Sequence, residues 1–236
     1  MRVWPVDGSP EVGAKQIIGG ADARHISSVL RLKPGDMVAV SDGTSKIFLA
    51  EIVGMGKNRV VVKIIRETPA FTLKKPLVYL AVGISKPQVM EICVQKAVEL
   101  SCSGFFPLIS QRSDVLSPSK MERLRKIARE AGKQCGRGDV MEVSDPVEAE
   151  GLPTDGFKIV LWEEEKGRTL KEVLNSVQTP EKIILAVGPA GGFSAEEMER
   201  LRGLGFPSAG LGRIVLRTET AAISLMAVIN HHFDRM

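Results

Sequence analysis

Beyond Thr68-Pro69 the chain alternates short, almost wholly apolar runs with longer stretches of helical period, and few folds accept that pattern. The run Lys182–Val187, KIILAV, has no polar residue after its first position to turn toward water. A strand of that kind is expected to be covered on both faces, as in a parallel sheet. Runs 77–82, 105–109 and 158–162 have the same character, and 214–216 is expected to add another strand. Between and after them, helices are predicted over 87–100, 119–132, 169–177, 194–204 and 219–232. The first should bury Val89, Ile92, Cys93, Ala97 and Leu100, and the last Ala222, Ile223, Leu225, Met226, Val228 and Ile229. Ser119 with Glu122, and Ser194 with Glu197, have capping-box spacing, and Gly205 is placed to end the helix that Ser194 begins. The order implies an α/β domain built on a mostly parallel sheet.

Residues 1–72 have a different texture. Runs 37–42, 46–53 and 59–66 are short and rich in Val, Ile and Phe, with turn signals at Asp42-Gly43 and Gly56-Lys57-Asn58. That spacing predicts a small antiparallel sheet or barrel, preceded by one short helix over 22–30. Two domains are therefore expected, 1–72 and 73–236. No run of eighteen apolar residues suggests a membrane span. The opening MRVWPVDGSPEVGA lacks the apolar core of a signal peptide. Three cysteines, at 93, 102 and 135, make neither a disulfide framework nor a zinc site. His25, His231 and His232 have no metal-like grouping, and read as structural or surface residues. A reducing cytoplasm, no membrane and no metal are the expectations.

The formal net charge is only +4, so its distribution matters more than its sum. Within 120–137 lie seven basic residues and only two acids. The run reads either as a solvated helix face or as a contact surface for a polyanion.

The stretch Gly188-Pro189-Ala190-Gly191-Gly192-Phe193 follows the strand at 182–187 and leads into the helix at Ser194. It lies where open α/β sheets bind ligands, at the carboxyl end of a strand. A P-loop is excluded, because no Gly-Lys-Ser/Thr closes the turn. A dinucleotide fingerprint is excluded as well: the glycine spacing is wrong, and no acid occurs between Glu199 and Glu219. What remains open at this point is a tight strand-to-helix connection without a ligand, or a ligand of another kind. Downstream, Arg217, Thr218 and Glu219 gather at the start of the last helix, where backbone donors are free. They are either a pair that fixes the loop or part of a site.

Taken in order, VGPAGGFSAEE and LGRIVLRTETA resemble the paired signature of the SPOUT-class 16S ribosomal RNA uridine-N3 methyltransferases. HISSVLRLKPGD at 25–36, VQKAVELSCSGFFPLISQRS at 94–113, EAGKQCGR at 130–137 and LWEEE at 161–165 extend the resemblance over nearly the whole chain. Two departures stand out. Ala190 takes the place of the family's usual Glu in the turn, and no proline follows Arg137. The resemblance implies a C-terminal SPOUT domain with a deep trefoil knot, a small PUA-like β-barrel at the N-terminus, and a homodimer.

It also implies S-adenosylmethionine as cofactor and 16S ribosomal RNA, or the small ribosomal subunit, as partner. The expected cofactor residues are Leu161, Trp162 and Glu163; Val187, Gly188, Pro189, Gly191 and Gly192; and Leu211, Gly212, Ile214, Leu216 and Thr218. A side chain at 191 is expected to obstruct the cofactor. Arg217, Glu219 and Arg137 are the catalytic candidates: a cation to hold charge on the uracil oxygens, or a carboxylate to take the N3 proton. Arg31, Lys33, Arg112, Arg125, Arg129 and Gln134 are expected to touch the RNA. Lys96 and Glu99 are either an intrahelical pair or functional. Two other functions are open, a catalytically inactive RNA-binding assembly factor and a ribose 2′-O-methyltransferase of the same class.

Overall fold

The computed structural model describes every residue except Met1, Thr44, Ala70 and Phe71. The chain forms two compact units. One comprises Met1–Thr72 with Arg129–Val140, and the other Leu73–Ala128 with Met141–Met236.

The first unit is a five-stranded sheet of β1 (Val3–Pro5), β2 (Lys15–Gly19), β3 (Met37–Ser41), β4 (Phe48–Gly56) and β5 (Arg59–Glu67), in the order β1-β3-β4-β5-β2. Only the β1–β3 pairing is parallel. Alternation fixes the inward face: Val60, Val62 and Ile64 are buried, while Arg59 and Lys63 face water. The helix read at 22–30 is α1 (Gly20–Arg24) running into a π-helical turn, His25–Val29. Its Ala23 and Ile26 join Trp4, Ile18 and Ile52 in the core. The His25 ring packs at 5.5 Å from that of Trp4. Segment 129–140 is tied into the same unit: Lys133 pairs with Asp22 at 2.9 Å, and Ser41 Oγ donates to the Gly138 carbonyl at 2.9 Å.

The second unit holds β6 (Leu77–Gly83), β7 (Gly104–Leu108), β8 (Glu142–Val143), β9 (Phe157–Leu161), β10 (Lys182–Val187) and β11 (Ser208–Ala209). Every pairing is parallel, in the order β11-β9-β10-β6-β7-β8. Its helices are α2 (Pro87–Glu99), α3 (Pro118–Cys135, whose end belongs to the first unit), α4 (Leu170–Asn175), α5 (Ala195–Gly203) and α6 (Thr218–His232). Ile184 and Ala186 of β10 meet Met198 and Leu201 of α5 on one face. The alternate residues Ile183 and Leu185, on the opposite face, are fully buried. The chain runs outward from β6 to β8 on one side and returns through β9 on the other. The direction of winding thus reverses around β10 and β6, which is where open α/β sheets open a ligand crevice.

Several local expectations change. In α2 the buried residues are Met90, Cys93, Val94, Ala97 and Val98, whereas Ile92 is 40% exposed. Val228 of α6 is exposed as well. α3 begins one residue early, on Pro118, because a proline loses nothing at a position whose N–H has no helical acceptor. Ser117 Oγ then accepts from Lys120 N–H at 3.4 Å, in place of the Ser119–Glu122 box. Residues 214–216 form no strand, and Ile214 and Val215 are 80% and 74% exposed. The sheet edge is instead β11, two residues paired to Val160 and Leu161. The box at Ser194 forms as expected, and Gly205 adopts φ +85°.

Candidate active site

The carboxyl ends of β6, β9 and β10 converge on one turn, 188–193. Its shape needs glycine at defined places. A Cβ on Gly188 would lie 3.2 Å from the Phe193 nitrogen, and Gly192 adopts φ +67°. From below, Gly83 at the end of β6 touches the turn so closely that a Cβ there would lie 2.3 Å from the Pro189 nitrogen. Side chains then hold the peptide groups. Thr218 Oγ1 donates to the Gly188 carbonyl at 3.2 Å. Ser85 Oγ donates to the Gly83 carbonyl at 3.0 Å and accepts from Ala190 N–H at 3.2 Å. Glu197, buried at the start of α5, accepts from Ser194 and Gln111 N–H groups, each at 2.8 Å.

Over the turn lies a cavity of about 330 Å³, the size of a small-ligand site. The end of β9 contributes Leu161, Trp162 and Glu163 to its wall, and the turn contributes Val187, Gly188, Pro189, Ala190 and Gly192. The stretch from Leu211 to Glu219 closes it, with Gly212, Ile214, Leu216 and Thr218 among the lining residues. Gly191 is outside the lining: its carbonyl accepts from Arg112 Nη1 at 2.6 Å, and the arginine stem covers its Cα. Sequence reasoning missed Val89 and Ala209 in the wall, and Gly83 and Ser85 beneath it. A glycine closing a buried strand, followed by a serine, was the available signal for the last two.

Arg217 and Glu219 both border the cavity. Arg217 is the N-cap residue of α6, exposed, and its side chain caps nothing. Among the described residues neither the Arg217 guanidinium nor the Glu219 carboxylate has a hydrogen-bond or ion-pair partner, so the two are not a pair that fixes the loop. The neighbouring Cys93 thiol is pushed up to about 12, chiefly by burial and then by the Glu219 charge, so it stays protonated and inert at neutral pH. Arg137 belongs to the first unit, where it is 4% exposed and Asp139 holds its guanidinium at 2.7 Å.

The expected RNA contacts divide into free and engaged cations. Arg31, held at φ 55°, Lys33, Arg129 and Gln134 are exposed. Arg125 is tied to the Val143 carbonyl and, at 2.6 Å, to Asp145. In the same helix Arg123 pairs with Glu91, and Lys133 with Asp22. Lys120, Lys126 and Arg129 remain exposed and unpaired among the described residues. Lys96 and Glu99 form an intrahelical ion pair at 2.8 Å. No helix is long and apolar enough to cross a membrane, and no cluster of metal-ligating side chains occurs among the described residues.

The profile of the RNA methyltransferase domain matches residues 73–230, and that of the RNA methyltransferase PUA domain matches 18–65. The chain is 29% identical over 230 residues to ribosomal RNA small subunit methyltransferase E of Bacillus subtilis, covering 92% of this chain and 90% of the relative. It is 32% identical to the protein of the same name from Aquifex aeolicus, covering 78% and 81%. The Neisseria gonorrhoeae enzyme of that name, solved bound to S-adenosyl methionine, superposes with a TM-score of 0.88 at 26% identity, covering 98% and 97%. A Legionella pneumophila protein solved with bound cofactor SAM gives 0.86 at 30% identity, covering 98% and 96%. A parallel sheet with a glycine turn at its switch point, matched along nearly its full length, thus places this chain in the ribosomal RNA small subunit methyltransferase E family of RNA methyltransferases.

Proposed function

We propose that this protein transfers a methyl group from S-adenosylmethionine to N3 of a uridine in 16S ribosomal RNA. The observation that carries the reading is the wall of the cavity. It offers glycine peptide groups at close range and apolar flanks from Leu161, Leu211 and Leu216. Such a wall suits an adenosine, whose edges need backbone groups at close approach. When bound, the cofactor supplies an electrophilic methyl group, and the protein positions and polarises. Uridine N3 carries an imide proton and is a poor nucleophile until that proton leaves. Among the described residues Glu219 has no cationic partner, so its carboxylate is available to accept the proton. Arg217, at the start of α6, holds the negative charge that then spreads over the uracil oxygens. The N3 edge is reached only in an unpaired or extruded base.

Incubating the protein with S-adenosylmethionine and unmodified small-subunit RNA, then digesting to nucleosides for mass spectrometry, tests the reading. N3-methyluridine is the expected product. A ribose-methylated nucleoside, or none, overturns it. The same reading includes cytoplasmic location, trefoil threading of the segment after β10, and a homodimer. The exposed Ile92 and Val228, on helices that pack together, support the dimer. A crystal structure traced through 188–218 tests the threading, and a monomeric sedimentation mass would exclude the dimer.

RNA binding in this reading leans on exposed, unpaired cations. Lys126→Glu with Arg129→Glu is expected to lower the slope of log K against log salt by about 1–2 units. Unchanged slope would remove this helix face from the interface.

A further inference from the structure

We propose that Arg112 bridges an RNA phosphate to the glycine turn, so that RNA and the methyl donor tighten each other's binding through one side chain. The inference rests on the reading of this chain as a cofactor-dependent RNA methyltransferase, and adds to it a residue that couples the two ligands.

The turn has two faces. Gly188, Pro189, Ala190 and Gly192 present one of them to the cavity. On the other lies the stem of Arg112, with its Cδ and Cβ 3.1 and 3.2 Å from the position a Gly191 side chain would take. Its Nη1 donates to the Gly191 carbonyl at 2.6 Å. The corner beneath is rigid. Gln111 N–H donates to the buried Glu197 carboxylate at 2.8 Å, and Ser110 N–H to Ser113 Oγ at 3.0 Å. The arginine backbone is therefore fixed, and its head reaches outward from a pinned stem.

That head keeps donors free to take another partner. A guanidinium has five donors in a planar fork, and among the described residues one neutral carbonyl occupies one of them. Arg112 is exposed and has no acidic partner among the described residues. A full positive charge with an open fork suits a phosphate oxygen pair. Because the stem lies along the turn, a phosphate can take the outer donors while Nη1 keeps the carbonyl. Bound RNA then holds the turn in the shape that lines the cavity. By linkage, a ligand in the cavity must favour RNA by the same factor. Had the phosphate drawn the arginine off the carbonyl, the sign would be opposite.

The test is calorimetric titration of the full-length protein with S-adenosylhomocysteine, which cannot react, with and without saturating small-subunit ribosomal RNA. RNA is expected to tighten the dissociation constant about tenfold in the native protein. Arg112→Lys keeps the charge but not the fork. It should hold RNA affinity within about threefold while reducing the coupling below about twofold. Arg112→Ala should abolish the coupling. The readout is a ratio of two constants in one variant, so damage to the turn that weakens binding equally with and without RNA leaves it unmoved. Equal coupling in all three proteins, no coupling in the native one, or weaker binding with RNA overturns the bridge alone. Native protein that binds the nucleoside but no RNA overturns the methyltransferase reading beneath it.

Discussion

Arg217→Ala is expected to lower the rate of methyl transfer by about 10²–10³-fold, the cost of removing one preorganised donor from a developing anion. Affinity for S-adenosylhomocysteine should stay within about threefold of native, because the interaction lost is made only as charge appears on the uracil. The structure supplies the conditions for that split. Arg217 stands at the mouth of the cavity and is bound to no carboxylate among the described residues. Its backbone does structural service, since its carbonyl accepts from Ala221 N–H at 2.8 Å, and alanine preserves that bond. The side chain caps nothing, so the helix should not fray on its loss. Single-turnover rates with saturating RNA, set beside calorimetric constants, check it. A variant with native turnover would remove Arg217 from the chemistry. A variant that loses binding and rate in equal measure would make it a cofactor contact instead.

How much of the fold is legible in the sequence follows the range of the interactions. β10 was legible because an apolar run without alternation has one structural solution. The Ser194–Glu197 cap was legible because all its partners lie within four residues. β1, β2, β8 and β11 were not, because each is short and exists by pairing with a remote strand. Val3 pairs with Ala39, and Ser208 with Val160. Ile214 and Val215 misled for a related reason. β-branched residues predict a buried strand, yet here they stand exposed at the rim of a cavity. Most of the cavity wall came from the resemblance rather than from physical pattern. The facing of each turn residue came from neither. Gly191 and Gly192 are adjacent glycines, and only tertiary contacts put one under Arg112 and the other beside Glu163. Arg137 is a similar case: that it is buried and paired with Asp139, two residues away, is a tertiary fact its sequence does not carry.

The obstruction that sequence reasoning placed at position 191 is expected in larger measure at Gly83. A Cβ on Gly191 would meet the aliphatic stem of Arg112, a side chain able to shift, so Gly191→Ala should change nucleoside affinity by less than about threefold. A Cβ on Gly83 would lie 2.3 Å from the Pro189 nitrogen, 2.4 Å from its Cδ and 2.8 Å from the Gly188 carbonyl carbon. None of those atoms belongs to a flexible side chain. Gly83 needs no left-handed φ, so the penalty is steric and falls on the turn, which must retreat by about 1 Å to restore normal contact. That retreat separates the Gly188 carbonyl from Thr218 and Ala190 N–H from Ser85. Gly83→Ala should therefore cost about 1–3 kcal/mol of stability, as overpacking does. S-adenosylhomocysteine binding should weaken by about tenfold or more, since each 1.4 kcal/mol of distortion at the site is a factor of ten. Thermal unfolding and calorimetric titration of the two alanine variants, side by side, measure both quantities. Native affinity in Gly83→Ala, or a loss confined to Gly191→Ala, would mean that the cavity over this turn is not where the nucleoside binds.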